Sequence, residues 1–412
     1  MAKTARSTRS TRSTSSTRRS APNALDALLA SREMVLVTGS GGVGKTTVAA
    51  ALAVAAVTHQ RGRVLVLTVD PARRLADALG IGAFGNDAVR IPDEAFSGAL
   101  KQPKGELWAA MLDTKAGWDE LIRRHAPSAK VREAVLSNPL YQNITARFVH
   151  SHDYLAMEQL HDLHATGDYD LVIVDTPPSR NALDVLDAPS RMVEFFGSRL
   201  LKWLTVPYRS RIFNVATKPF YQIADRVLGS RFLRDIGDFF VLFQAMEKGF
   251  VARAREVEAL LADHRTAFVV VSTLETAPAH EAAFLAAELR RRQLPLGAIV
   301  INRVLPASLS SDEAADSANR LADLSDDENF VASVADVIDA DPDVTGTVLR
   351  EVATRFHDVA VVATREAERR SELAALAPCL FSAPSLDGEV NDVPGLFTLA
   401  RHMRDPHDGA DF

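Results

Sequence analysis

Nine residues, "GSGGVGKTT" (Gly39–Thr47), leave this chain few options. They follow the apolar run Met34–Thr38 and precede an alanine-rich stretch, and they satisfy G-x-x-x-x-G-K-[ST]. Glycines let consecutive backbone N–H groups turn inward around an anion. A helix starting at the lysine presents its positive end to the same point. The pattern therefore implies a strand, a phosphate-holding loop and a helix. Its candidate ligand contacts are Gly39, Gly41, Gly42, Val43, Gly44, Lys45, Thr46 and Thr47. Lys45 is suited to the terminal phosphates of ATP, and Thr46 offers a hydroxyl to Mg²⁺.

Such a loop needs an acid at the end of a neighbouring strand. "YDLVIVDTPPSRNALDVLDAPSRM" supplies one: Leu171–Val174 reads as the strand and Asp175 as its polar end. A carboxylate there can hold Mg²⁺ through water or order the loop that senses the terminal phosphate. "VLVLTVDPARRLADALG" places Asp70 at the end of another strand. Asp70 reads equally as a helix cap or as the group that orients the attacking water. Beside the other two motifs, the catalytic reading is favoured. "GAIVINRV" ends a late strand on Asn302. An Asn can donate to and accept from adenine, and a turn or cap role fits as well.

Further apolar, β-branched runs occur at Val64–Val69, Leu107–Leu112, Phe268–Ser272, Ala298–Ile301 and Cys379–Ser382. Near-continuous runs suit strands buried on both faces. Helical stretches between them imply right-handed βαβ units. The expected fold is α/β, a doubly wound, mostly parallel sheet, with a helical subdomain formed by insertions at about 114–166 and 190–264. Domain organisation reads as a tail over residues 1–24 and one phosphate-loop domain over 25–412. "SSDEAADSANRLADLSDDENF" (Ser310–Phe330) is acidic and polar and reads as a solvated surface excursion.

Charge is unevenly spread. The net charge is −6, but the first 22 residues hold six bases and no acid, so the remainder carries −12. A body that acidic argues against specific nucleic-acid binding. The Arg-Ser-Thr tail has little to bury and is expected to be disordered. A solvated tail is the simplest reading, and a tether to anionic lipid or nucleic acid is the alternative. With one cysteine, Cys379, a disulfide framework is excluded. A cytoplasmic protein is expected, with a peripheral place at the membrane as the alternative.

Residues 191–234 stand out in this acidic body. Nine bases face two acids, a net +7, with eight aromatics interleaved. A protein client, a membrane surface, or a helical layer with its aromatics inside would each produce this pattern. His161 and His164 share a helix face, and a solvated surface explains them better than a metal.

The motifs "GGVGKTT", "VDPARRLADALG", "VDTPPSRNALDVLDAP" and "VINR", in this order, resemble the ArsA-like arsenite-pump and tail-anchored-protein-targeting ATPases, a deviant branch of the phosphate-loop proteins. The likeness runs from about Arg32 to Met403, and bacterial paired ATPases of the actinobacterial type look most similar. The resemblance implies Mg²⁺-dependent ATP hydrolysis coupled to a partner or client. A slow nucleotide-gated targeting factor and an energising subunit of a membrane anion pump are the alternatives. It implies that Lys45 and Asp70 serve catalysis, that Thr46 and Asp175 serve Mg²⁺, and that Asn302 and the loop around Pro384 frame adenine. It also implies a dimer. Two departures matter. Ser40 stands where the family carries a lysine that reaches the partner's ATP, so a heterodimer with a lysine-bearing relative is expected, with a homodimer as rival. With Cys379 alone, arsenite-binding cysteines and a zinc-clipped interface are both missing.

Overall fold

The computed structural model describes residues 23–60, 62–69, 74–82, 87–99, 101–111, 114–138, 141–142, 151–176, 184–198, 238–386, 388 and 390–404. In chain order the elements are α1 (Ala24–Ala30), β1 (Met34–Gly39), α2 (Lys45–His59), β2 (Arg63–Thr68), α3 (Arg74–Leu79), β3 (Val89–Arg90) and β4 (Glu106–Met111). There follow α4 (Thr114–His125), α5 (Ala129–Leu136), α6 (Ser151–Thr166), β5 (Leu171–Asp175), α7 (Asp184–Gly197), α8 (Glu247–Ala262), β6 (Thr266–Ser272), α9 (Thr276–Arg291) and β7 (Leu296–Val304). The chain ends with α10 (Ala307–Ser310), α11 (Asp312–Ser325), α12 (Glu328–Ile338), α13 (Pro342–Ala374), β8 (Leu380–Pro384) and α14 (Val393–Arg404).

The strands form one sheet in the order β3-β4-β2-β5-β1-β6-β7-β8. Every pairing is parallel except β3 with β4. This is the doubly wound sheet that the apolar runs imply. Strand side chains alternate between faces, and both faces are covered. Met34 and Leu36 of β1 enter a core with Leu65, Val172, Phe268 and the helical layer of α6 and α8. Val35 and Val37 enter the opposite core, against α2. That helix is buried all round from Val48 to Thr58, which is why its sequence is alanine-rich and lacks a polar face. Two-sided burial explains why these strands are legible as unbroken apolar runs.

Beside the sheet, α4, α6, α7 and α8 pack around an aromatic cluster. Phe250 contacts Trp118, His125, Tyr154 and Phe196, with ring centroids 4.9 to 6.4 Å apart. Phe196 is therefore core. The rest of the basic aromatic stretch, 199–234, and the tail over 1–22 lie outside the described residues. Asn23 and Ala24, assigned above to the tail, open α1: the Asn23 side chain caps it by accepting from Leu25 N at 2.9 Å.

The acidic excursion is helical. Ser311, Asp327 and Asp341 each cap a helix with a side-chain oxygen, and α11 and α12 pack on the 33-residue α13. This third helical block lies between β7 and β8.

Candidate functional site

The carboxyl ends of β1, β2, β5, β7 and β8 converge on one rim of the sheet, where ligands of such folds bind. β1 ends at Gly39, and the loop from Gly39 to Gly44 turns the chain into α2. Gly39, Gly42 and Gly44 have φ of 148°, 82° and 91°. At Gly44 a Cβ would lie 2.2 Å from Nδ2 of Asn302, and at Gly39 it would lie 2.1 Å from the Val271 carbonyl oxygen. Glycine is required at both by conformation and by space. At Gly41 and Gly42 a Cβ meets nothing within 4 Å. That side of the loop is open.

It opens onto a cavity of about 1310 Å³, above the ~300–1,000 Å³ of most small-molecule sites. Gly42, Gly44, Lys45, Thr46 and Thr47 form one wall, and Asn302 and Pro384 form another. Of the remaining loop positions, Val43 points into the core at 2% exposure. Its carbonyl accepts from Asn302 Nδ2 at 2.8 Å, which occupies one of the two amide N–H bonds of Asn302 and ties the end of β7 to the loop. Lys45 is buried, and its amine donates to the Ser40 carbonyl at 2.9 Å.

β5 delivers Asp175 to the same rim, registered against Val37 of β1 and Thr68 of β2. Asp175 is 1% exposed. Its Oδ2 accepts from Thr46 Oγ1 at 2.7 Å and from Thr68 Oγ1 at 3.1 Å. A buried carboxylate joined to the hydroxyl that opens α2 is a donor set of hard oxygens, the kind Mg²⁺ takes. Open loop N–H groups, a lysine and this oxygen pair fit a nucleotide triphosphate and its metal. Asp70 lies outside the described residues. The residue before it, Val69, donates its N–H to the Asp175 carbonyl at 3.3 Å.

Three further charged residues line the cavity; of these the sequence singles out only Arg74, which with Arg73 and Arg180 could replace the missing lysine in a homodimer. Arg74 and Asp77 face it from α3, and Arg303 faces it from the end of β7. Arg303 has φ of 57°, at a register shift between Asn302 and Val304, the sparsely populated backbone that clusters at functional sites. The paired arginines of "DPARRLAD" were the available signal for Arg74. Glu281 of α9 was also hidden: its carboxylate accepts from the Ser40 hydroxyl. Of the candidate histidines, His161 and His164 are half-buried. His164 bonds Glu33 at 2.8 Å and His161 contacts Arg253 at 2.8 Å, and no metal-ligand cluster exists among the described residues. Nor, among those residues, is any helix long and apolar enough to cross a membrane.

A strand, a glycine loop, a helix opening on lysine and threonine, and an aspartate at the neighbouring strand end bonded to that threonine define a phosphate-loop nucleotide hydrolase. The chain belongs to the anion-transporting ATPase family, whose model matches residues 32–324. It is similar to the ATPase GET3 of Malassezia globosa, 26% identical over 287 residues, which covers 69% of this chain and 77% of that protein. It is similar to an ATPase ASNA1 homolog of Entamoeba dispar, 23% identical over 291 residues, covering 70% and 81%. The ATPase BagA of Mycobacterium tuberculosis aligns over 383 residues at 24% identity, covering 91% and 93%. The ArsA-like resemblance read from the motifs is thereby borne out, and the chain is an ATP-hydrolysing enzyme.

Proposed function

We propose that this ATPase is Mg²⁺-dependent, that its cycle is coupled to a partner or client protein, and that it works as one half of a heterodimer with a lysine-bearing relative. The observation that carries the metal part is the Thr46–Asp175 contact at 2.7 Å. In this reading the loop N–H groups and Lys45 hold the terminal phosphates. Thr46 and Asp175 would hold Mg²⁺. The metal supplies positive charge to the phosphate oxygens. Asp70 orients the attacking water and takes its proton. Asn302 and the wall around Pro384 face adenine. Positioning and electrostatics do the catalysis.

The heterodimer rests on Ser40. Serine carries no charge to lend to a partner's nucleotide, and Glu281 stands against it.

Retention of proteins on the immobilised full chain in Mg-ATP and in Mg-ADP tests the coupling. A paralogue with lysine at the Ser40 position, retained in ATP and released in ADP, is expected. Lys45→Ala should abolish turnover and that discrimination together. A Lys45→Ala protein that hydrolyses ATP at the parent rate would overturn the site assignment.

A further inference from the structure

A surface helix is expected to turn polar residues outward. Along α13 the inward positions are small: Gly346, Ala353, Ala360 and Ala363 are buried. The outward side is mixed: Thr347, Glu351, Arg355 and Asp358 are exposed, and valines stand among them. Val344, Val348 and Val352 recur every fourth residue and are 61%, 54% and 47% exposed. Val362, five turns beyond Val344, is exposed at 48%, with the Glu351–Arg355 ion pair between. At the end of α12, Val337 and Ile338 are 82% and 59% exposed. Scattered single apolar residues need no explanation, but a row of them marks an interaction site.

Charge decides what the row accepts. Residues 312–343 hold eleven carboxylates against Arg320 alone, a net −10. Asp336, Asp339, Asp341 and Asp343 surround Val337, Ile338 and Val344 in sequence, and all four are exposed. Asp341 has a local task, accepting from the N–H groups of Asp343 and Val344 at 2.9 and 3.2 Å. The remaining charge is more than capping needs. Extending the count to Val362 adds Arg350 and Arg355 against Glu351 and Asp358, so the net charge stays at −10. So acidic a rim repels both a second copy of the same face and an anionic membrane. Its complement is a cationic segment with an apolar stripe.

We propose that the α12–α13 surface is a docking site for a basic amphipathic helix of a partner protein. The apolar face of that helix lies along Val344, Val348 and Val352, and its Lys or Arg side chains meet the carboxylates at the α12–α13 turn. The span from Val344 to Val362, ion pair included, is about 27 Å at 1.5 Å per residue, which matches a partner helix of about 18 residues.

The other end of α13 is rooted near the nucleotide loop. Arg369 donates to the Leu274 carbonyl at 2.8 Å and to Thr276 Oγ1 at 2.9 Å, at the start of α9. The same helix carries Glu281 against Ser40. Docking itself goes beyond the ATPase reading and stands without it, because no residue of α12 or α13 lines the nucleotide cavity.

The test titrates the full-length protein with a fluorescent 18-residue Leu/Lys amphipathic peptide, with a Leu/Glu peptide as control. One Leu/Lys peptide should bind per chain, more weakly as salt rises. The Leu/Glu peptide should not bind. Val344→Ser/Val348→Ser should weaken binding at least tenfold with unchanged circular dichroism. Asp336→Lys, which leaves the apolar row intact, should also weaken it. Absence of binding, or equal binding by the Val344→Ser/Val348→Ser variant, overturns the proposal. So does a parent self-association that this variant abolishes, because a second copy is then the occupant. Vesicle binding lost in the same variant overturns it in favour of a membrane.

Discussion

The hydroxyl of Thr46 and the carboxylate of Asp175 lie 2.7 Å apart, joining the first turn of α2 to the end of β5. Thr68 donates to the same oxygen at 3.1 Å. One buried carboxylate thus ties three strand and helix ends together, and its charge sits where a metal on Thr46 would need it. Asp175→Asn keeps the shape and removes the charge. It should leave the unfolding midpoint nearly unchanged and raise the Mg²⁺ concentration for half-maximal turnover by about 10–100-fold, the range for an outer-shell ligand. An unshifted Mg²⁺ titration would make Asp175 a purely structural tie.

Asn302 depends on Gly44 in the same way. A methyl group at position 44 would sit 2.2 Å from the Asn302 amide nitrogen, on a backbone with φ of 91°. Gly44→Ala should therefore break the Asn302–Val43 bond and cost about 1–3 kcal/mol from strain alone. Gly41→Ala, facing open space, should cost far less. Denaturant unfolding of the two variants side by side checks this, and equal costs would show that the loop relaxes.

Asp70 should act on the chemical step. Asp70→Asn is expected to hold ATP affinity within a few-fold and to lower turnover by roughly 10²–10⁴, as for a positioned acid–base group. Fluorescent-nucleotide binding beside single-turnover hydrolysis separates the two effects. A parallel fall in affinity and rate would make Asp70 a strand-end cap.

These expectations were readable to different depths. Runs such as Val64–Val69 and Phe268–Ser272 declare themselves because both faces of the sheet are covered. β3 does not, because two exposed edge residues, Val89 and Arg90, carry no pattern. The acidic stretch after β7 reads as a solvated excursion with no element assigned, because Ser and Asp favour turns and helix caps alike. Ser311, Asp327 and Asp341 turn out to be caps. Of the candidate site, the contiguous loop was legible and the walls were not. Arg303 reaches the cavity through a positive φ that no spacing rule announces.

The helical layer buries an acid that should make stability pH-dependent. Glu158 is 1% exposed, and burial pushes its pKa up from 4.5 to about 7, against the pull of its Tyr154 hydrogen bond and Arg253. Tyr154 and Asp162 lie on its own helix, Arg253 on α8 and His125 on α4. A raised carboxyl pKa means that the folded state binds the proton more tightly. This contribution is fully present below about pH 4.5 and is lost as pH rises through about 7. His125, whose pKa burial lowers, acts oppositely and loses stability as pH falls. Glu158→Gln should flatten the decline in unfolding midpoint between about pH 5 and 7. A midpoint profile unchanged by that substitution would place the titration elsewhere.

Ser40 offers the sharpest test of the heterodimer. A charge supplied in trans is worth about 10³–10⁵ in turnover in other nucleotide hydrolases. Ser40 is too short and uncharged to supply it, so the pure chain with Mg-ATP should turn over slowly and gain at least tenfold from the lysine-bearing relative. Installing the lysine alone should not suffice. Glu281 already accepts from Ser40, and it would pair with a lysine at that position. The pair is exposed and weak, about 0–1 kcal/mol, yet it points the amine along its own α9 and away from a second subunit. Ser40→Lys should therefore raise homodimer turnover modestly, and Ser40→Lys with Glu281→Gln should raise it further. Glu281→Gln alone should change little, because Ser40 still has no charge to release. Steady-state ATPase assays of the four proteins at matched concentration, with light scattering to count subunits, separate these cases. If the unmodified chain is already a fast homodimer and gains nothing from a relative, then Ser40 does not mark a missing charge, and its bond to Glu281 serves only to shape the loop.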